Sequence, residues 1–166
     1  MGEHIPSTVN YSGRQVDIEL LQTLIAPLDS QRVHITTTNS APKIVAGIEK
    51  LVQRYTVALL SILGEIHFDA AFGTALIPRI LGGHIPNRGV LSGAFTSANV
   101  NAIRQLVLDD NNTDVYGTIP EDERIYTAGL LDYDVDYESG IAYLKILITS
   151  QAGDNMEFIV PTTAPR

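Results

Sequence analysis

Beyond Arg124 the hydrophobic period of this chain changes from helical to strand-like, and the connections there are too short to cross a sheet. Ile125 to Asp136, Ile141 to Thr149 and Met156 to Val160 each read as a strand, bounded by Tyr137-Glu138-Ser139-Gly140 and Gln151-Ala152-Gly153-Asp154-Asn155 as turns. Such short turns force an antiparallel meander. In Tyr133-Asp134-Val135-Asp136-Tyr137 acids alternate with Tyr and Val, which predicts one carboxylate-lined face and one packed face. Pro161 suits the end of an edge strand, having no N–H to extend a ladder.

A sheet packed on one face needs a cover, and the preceding sequence supplies helices. Ser40 reads as an N-cap and Pro42 fits a first turn. Ile44, Ile48, Leu51, Val52, Tyr55, Leu59, Ile62 and Leu63 follow at helical spacing, up to Gly64 as a natural C′ residue. Lys43, Glu49, Lys50, Gln53 and Arg54 give the first half a polar side. Tyr55 to Leu63 is apolar almost all round, which predicts burial on several sides, by the domain or by other subunits. Gly82 to Gly93 reads as a loop. Thr96 or Ser97 then caps a second helix from Ala98 to about Leu108, with Val100, Ile103, Leu106 and Val107 on one face. The first 40 residues are ambiguous: Val16, Ile18, Leu20, Leu21, Leu24 and Ile25 could form a short amphipathic helix stopped by Pro27, and Arg32 to Thr38 reads as extended. The expected architecture is α+β: a long and a shorter helix beside a C-terminal antiparallel sheet of three or more strands. The expected division is an N-terminal extension or assembly-contact segment, 1–40, and one domain, 41–166.

Composition narrows the function classes. At 166 residues, 45% hydrophobic and 18% charged, the chain has the makings of a single folded domain rather than a disordered or coiled-coil polymer. No cysteine is present, which excludes disulfides, thiolate nucleophiles and Cys-ligated metals. The net charge of −8 argues against nucleic acid as a partner. The longest apolar stretch, Val57 to Leu63, is far short of the ~20 residues of a bilayer span, and the N-terminus lacks the pattern of a secretory signal, so no membrane partner is expected. The charge is uneven: Asp109 to Glu138 holds ten acids and one base, Arg124, for −9, and the remainder holds nine acids and ten bases, for +1. Such a run reads as a solvated face or as a label for a basic partner.

Few residues suggest chemistry. His4, His34, His67 and His84 are far apart, and no nucleophile elbow, phosphate loop or dinucleotide fingerprint is present, so no metal or cofactor is expected. Gly64-Glu65-Ile66-His67-Phe68-Asp69-Ala70-Ala71-Phe72-Gly73-Thr74-Ala75-Leu76 reads as a packed helix-to-loop corner, anchored by Phe68 and Phe72, with Gly73 allowing a backbone geometry that other residues resist. Glu65 and Asp69 could also serve as the two carboxylates of a glycoside hydrolase, but with no Trp and 7% aromatics the chain offers little for a sugar cleft. Arg124 could pair locally, or its planar fork could bind a carboxylate or carbonyls of another chain.

The pattern Gly-Glu-x-x-Phe-x-x-x-Phe-Gly-x-x-Leu, carried here by Gly64, Glu65, Phe68, Phe72, Gly73 and Leu76, resembles the baseplate wedge or sheath-initiator proteins of contractile phage tails. Those proteins follow it with a helix and a Glu-Pro-Arg-Ile/Val segment that opens an antiparallel sheet. Here Asp122-Glu123-Arg124-Ile125 matches that segment, with Glu123 in place of the proline, and the likeness covers about residues 41 to 160. The resemblance implies a structural, non-enzymatic virion component, assembled in the host cytoplasm into the tail baseplate. Its implied partners are baseplate wedge proteins, the tail sheath protein and the tail tube or hub. The segment around Asp122, Arg124 and Ile125 would contact the wedge core, and the sheet would template the first sheath ring by strand addition. The family's lysozyme-like label makes hydrolysis by Glu65 and Asp69 the alternative.

Overall fold

The computed structural model of the protein describes residues 17–18, 21–25, 31–35, 44–67, 69–82, 87–113, 118–136 and 141–163. In chain order the elements are β1 (Asp17–Ile18), β2 (Leu21–Ile25), β3 (Gln31–Ile35), β4 (Ile44–Val45), α1 (Ile48–Leu60), α2 (Leu76–Leu81), α3 (Arg88–Thr113), a 3-10 turn (Glu121–Glu123), β5 (Ile125–Asp136), β6 (Ile141–Ser150) and β7 (Asn155–Thr163). The fold is α+β, with a long helix, shorter helices and a C-terminal antiparallel meander as the sequence predicts, although the long helix is α3, expected as the shorter one, and not α1. β6 pairs antiparallel with β5 on one side and with β7 on the other.

The sheet is larger than the meander. Its order is β2-β3-β7-β6-β5, with β3 parallel to β7 through the pair Arg32↔Ile159, while β1 and β4 form a separate two-stranded sheet. Leu21 to Ile25, ambiguous in the sequence, is therefore a strand. Its five residues lie antiparallel to β3, from Leu21↔Ile35 to Ile25↔Gln31. The pattern Leu-Gln-Thr-Leu-Ile is as compatible with a strand as with a short helix, and the extended neighbour decides between them. Pro161 lies within β7, opposite Tyr143, rather than at the end of an edge strand.

One face of the sheet carries the core. Along β6, Ala142, Leu144, Ile146, Ile148 and Ser150 are buried while the alternate residues are half-buried, the period-2 signature of a one-sided sheet. Phe158 and Val160 of β7 and Ile125 and Ala128 of β5 join the same cluster as Leu51, Tyr55 and Leu59 of α1. The rings of Tyr55 and Phe158 meet edge to face, with centroids 6.4 Å apart and planes at 83°. Burial pushes the Tyr55 hydroxyl pKa up, so the group stays neutral, and it donates to Asn99 Oδ1 at 2.6 Å. Asn99 in turn donates to the Ala128 carbonyl at 2.8 Å, so a single polar chain joins α1, α3 and β5. Among the described residues no helix is long and apolar enough to cross a membrane.

Both helices differ from expectation at their ends. α1 begins at Ile48 because Gly47 adopts φ 63 and Ile44–Val45 pair with β1; Ser40 and Pro42 lie outside the described residues. Its polar side is only partly solvated: Glu49 is exposed and Arg54 half-buried, but Lys50 and Gln53 are buried. It stops at Leu60, because Ser61 turns extended to bond the loop that follows, and Gly64 (φ 83) lies three residues beyond the C-cap. α3 begins ten residues before Ala98, inside the stretch expected as a loop. Asn87 caps it, its Oδ1 accepting from the Val90 N–H at 3.1 Å. Thr96 and Ser97 are thus mid-helix and exposed, with Thr96 bonding back to the Ser92 carbonyl. The buried face is Leu91, Ala94, Phe95, Ala98, Ala102 and Leu106, whereas Val100 is 61% exposed and Val107 41%.

This placement predicts opposite responses from neighbouring positions. Ala102→Leu, at a site with no exposed surface, should cost about 1–3 kcal/mol by overpacking, and Val100→Ser should stay within about 0.5 kcal/mol. Urea unfolding of the two variants measures both.

Candidate functional site

The two sequence stretches singled out above dock at opposite ends of α1. At its C-terminal end the chain from Ser61 to Leu76 folds back on itself. Thr74 N–H donates to the Ser61 carbonyl at 2.7 Å, Leu63 N–H to Thr74 O at 3.1 Å and Gly64 N–H to Phe72 O at 3.4 Å. Ile62 and Thr74 thereby form a parallel bridge. Buried Thr74 also donates its hydroxyl to Leu59 O at 2.7 Å and accepts from Leu76 N–H at 3.2 Å, tying the last turn of α1 to the first of α2.

Gly73 is the tightest point of this loop. It has φ 102, and a Cβ there would lie 2.7 Å from both Ile62 C and Ser61 O, which are backbone atoms that cannot step aside. Gln105 of α3 completes the clamp: Oε1 accepts from Gly73 N–H at 3.1 Å, and Nε2 donates to Ala71 O at 2.6 Å and to Gly73 O at 3.1 Å. Leu76 is buried and Phe72 packs partly buried against the core. Gly64 and Glu65 are exposed, and Phe68 lies outside the described residues. Asp69 is also exposed and accepts the Ala71 N–H at 3.0 Å. Glu65 and Asp69 therefore stand on the outside of the clamped loop, without the apolar enclosure that a glycosidase's general acid needs.

At the N-terminal end of α1 the organising residue is Glu123, which the sequence reading treated only as the replacement of a proline. It is 1% exposed. Its Oε1 accepts the Gly47 N–H at the helix N-cap at 3.2 Å, and its Oε2 accepts from Lys50 Nζ at 2.8 Å. An anion at a helix N-terminus is favoured by the backbone dipole as well as by the unpaired N–H groups there. Arg54, one turn further along, donates from Nη1 to the Glu123 carbonyl at 3.4 Å and from Nη2 to Asp110 Oδ1 at 2.6 Å and Asp109 Oδ2 at 3.5 Å. Asp110 is itself buried. Two carboxylates of the acidic run are thus paired inside the protein with bases of α1, and not solvated.

The rest of this stretch serves the same joint. Arg124 donates from Nε to the Ile119 carbonyl at 3.0 Å, a bond within its own chain, and Ile125 is core. The carbonyls of Arg124 and Glu121 accept from the Gln151 and Ala152 N–H groups at 2.9 and 3.2 Å, binding the β6–β7 turn. Asp122 is half-buried; its Oδ2 lies 3.0 Å from where a Cβ on Gly47 would stand. Lys50, Arg54 and Asp110 join Glu123 as residues that sequence reasoning missed. The available signal was the i, i+4 pair Lys50 and Arg54 on a helix otherwise buried on most sides, which needs acids to face it. Among the described residues no group of three or more His, Asp or Glu could hold a metal ion.

Both joints yield stability predictions. Glu123→Gln removes the carboxylate charge that lies 2.8 Å from the buried Lys50 ammonium and should cost about 3–5 kcal/mol. Gly73→Ala forces a Cβ into backbone at positive φ and should cost at least about 1–3 kcal/mol. Chemical denaturation of each variant, with circular dichroism to confirm folding, checks these values. Comparison of the chain with family models, with curated proteins and with solved structures gives no match.

Proposed function

We propose that this protein is a structural component of a contractile phage tail baseplate, which joins the wedge and templates the first ring of tail sheath by strand addition. The observation that carries this reading is that both stretches bearing the sequence resemblance are built as rigid corners on one buried helix. The Gly64–Leu76 stretch is clamped at its C-terminal end and the Asp122–Ile125 stretch at its N-terminal end. Clamped loops suit an assembly role, because contacts made by a preordered loop lose little conformational entropy on docking.

In this reading the exposed part of the first corner, Gly64 and Glu65, meets the wedge, while Phe72, Gly73 and Leu76 hold it in shape. Asp122 and Arg124 position the second corner against the wedge core, and Ile125 anchors it in the sheet that faces the sheath. The exposed acids Asp109, Glu121, Asp132 and Asp134 favour basic partner surfaces, so assembly should weaken as salt rises.

The test is incorporation of the protein into baseplates during tail assembly. Glu65→Lys reverses an exposed charge, so it should leave the unfolding midpoint unchanged while lowering incorporation by tenfold or more. Asp132→Lys combined with Asp134→Lys should remove much of the salt dependence of wedge binding. Normal tails with Glu65→Lys, together with wedge binding indifferent to ionic strength, would overturn the reading.

A further inference from the structure

The two outer strands of the meander, β5 and β7, differ in how they meet what lies beyond them. β5 carries features by which an edge strand resists addition of another strand. Its register to β6 shifts between Ile125 and Thr127 and again between Leu130 and Asp132, Asp132 and Asp134 stand exposed along it, and Asn99 of α3 bonds the Ala128 carbonyl. β7 has none of the register shifts: its pairing to β6 runs unbroken from Ile141↔Thr163 to Thr149↔Asn155. Its other side meets β3 in parallel at Arg32↔Ile159 alone among the described residues, and Pro161, two residues on, has no N–H for any longer ladder.

The segment that covers β7 is an arm with its own neck. β1 pairs with β4 through Asp17↔Val45 and Ile18↔Ile44, and the β2–β3 pair lies between these two strands in the chain. An isolated two-stranded hairpin is at best marginally stable in water, and an uncovered strand edge invites pairing with another chain. The arm needs a third strand and β7 needs a neighbour, and the seam between them is the shortest in the sheet.

From this we infer that the β2–β3 arm is an exchangeable cover, which passes between two copies of the chain so that the arm of each pairs with β7 of the other. Exchange keeps both pairings and makes the same contacts twice, so it costs little beyond the neck's rearrangement and the entropy of association. The inference is independent of any role in a phage tail.

The absence of cysteine allows a direct test. The double variant Arg32→Cys/Ile159→Cys places thiols at positions in register, within disulfide reach. Equal amounts of isotope-labelled and unlabelled full-length protein are incubated together over a micromolar to millimolar range, oxidised, digested and analysed by mass spectrometry. Exchange predicts that cross-linked peptides of mixed isotope rise from near zero at low concentration to about half of the total, the statistical limit for equal mixing. Cross-links of a single isotope at every concentration would overturn it. Should the variant fail to fold or to cross-link, the mass of the unmodified protein in the ultracentrifuge decides. A dimer that forms at high concentration and is lost on Arg32→Pro supports exchange, and a monomer throughout overturns it.

Discussion

The structure turns on one buried carboxylate. Glu123 caps the N-terminus of α1, holds the ammonium of Lys50 and lends its carbonyl to Arg54, which reaches on to Asp110 near the end of α3. Through the adjoining Arg124 and Glu121 carbonyls the same turn binds the β6–β7 connection. Three parts of the fold distant in sequence, the start of α1, the last turns of α3 and the far end of the meander, therefore meet at a 3-10 turn of three residues. Burying charge in this way adds little net stability over an apolar substitute, but leaving one partner behind is severe. What such a joint supplies is a single permitted alignment of helix and sheet.

How far the sequence could be read follows from where the deciding forces lie. The meander was legible to within a few residues because its signals are local: β-branched and aromatic residues along Ile141–Thr149 and glycine-bearing turns on either side. The helix ends were not. Ile62 and Leu63 continue the apolar period of α1, yet the bond from Thr74 to the Ser61 carbonyl pulls them out of the helix. Val100 and Val107 look like a core face, yet α3 buries Ala94, Ala98 and Ala102 alongside Leu91, Phe95 and Leu106, and the alanines allow its backbone a close approach. Hydrophobicity alone ranks Val above Ala, whereas packing at short range ranks them by size.

The site was legible in outline and not in its chemistry. Gly73 was marked for unusual backbone geometry, and its φ of 102 together with the Gln105 clamp gives the reason. Glu123 was seen only as a departure from a pattern, because nothing local distinguishes it from Glu121 or Asp122, and its importance comes entirely from Gly47 and Lys50, more than seventy positions away. The apparent division of charge, +1 against −9, has the same origin. Lys50 and Arg54 were counted with one part of the chain and Glu123 and Asp110 with the other, while the fold joins them as ion pairs.

Because the two clamped corners hang from opposite ends of a single helix, α1 acts as a ruler. Its 13 residues hold them about 20 Å apart at 1.5 Å per residue, on bearings set by the 3.6-residue turn. A surface that touches both corners must match that span and that angle together. A one-residue insertion in α1 would lengthen the span only slightly but swing one corner about 100° around the axis, so the helix tolerates changes of composition far better than changes of length.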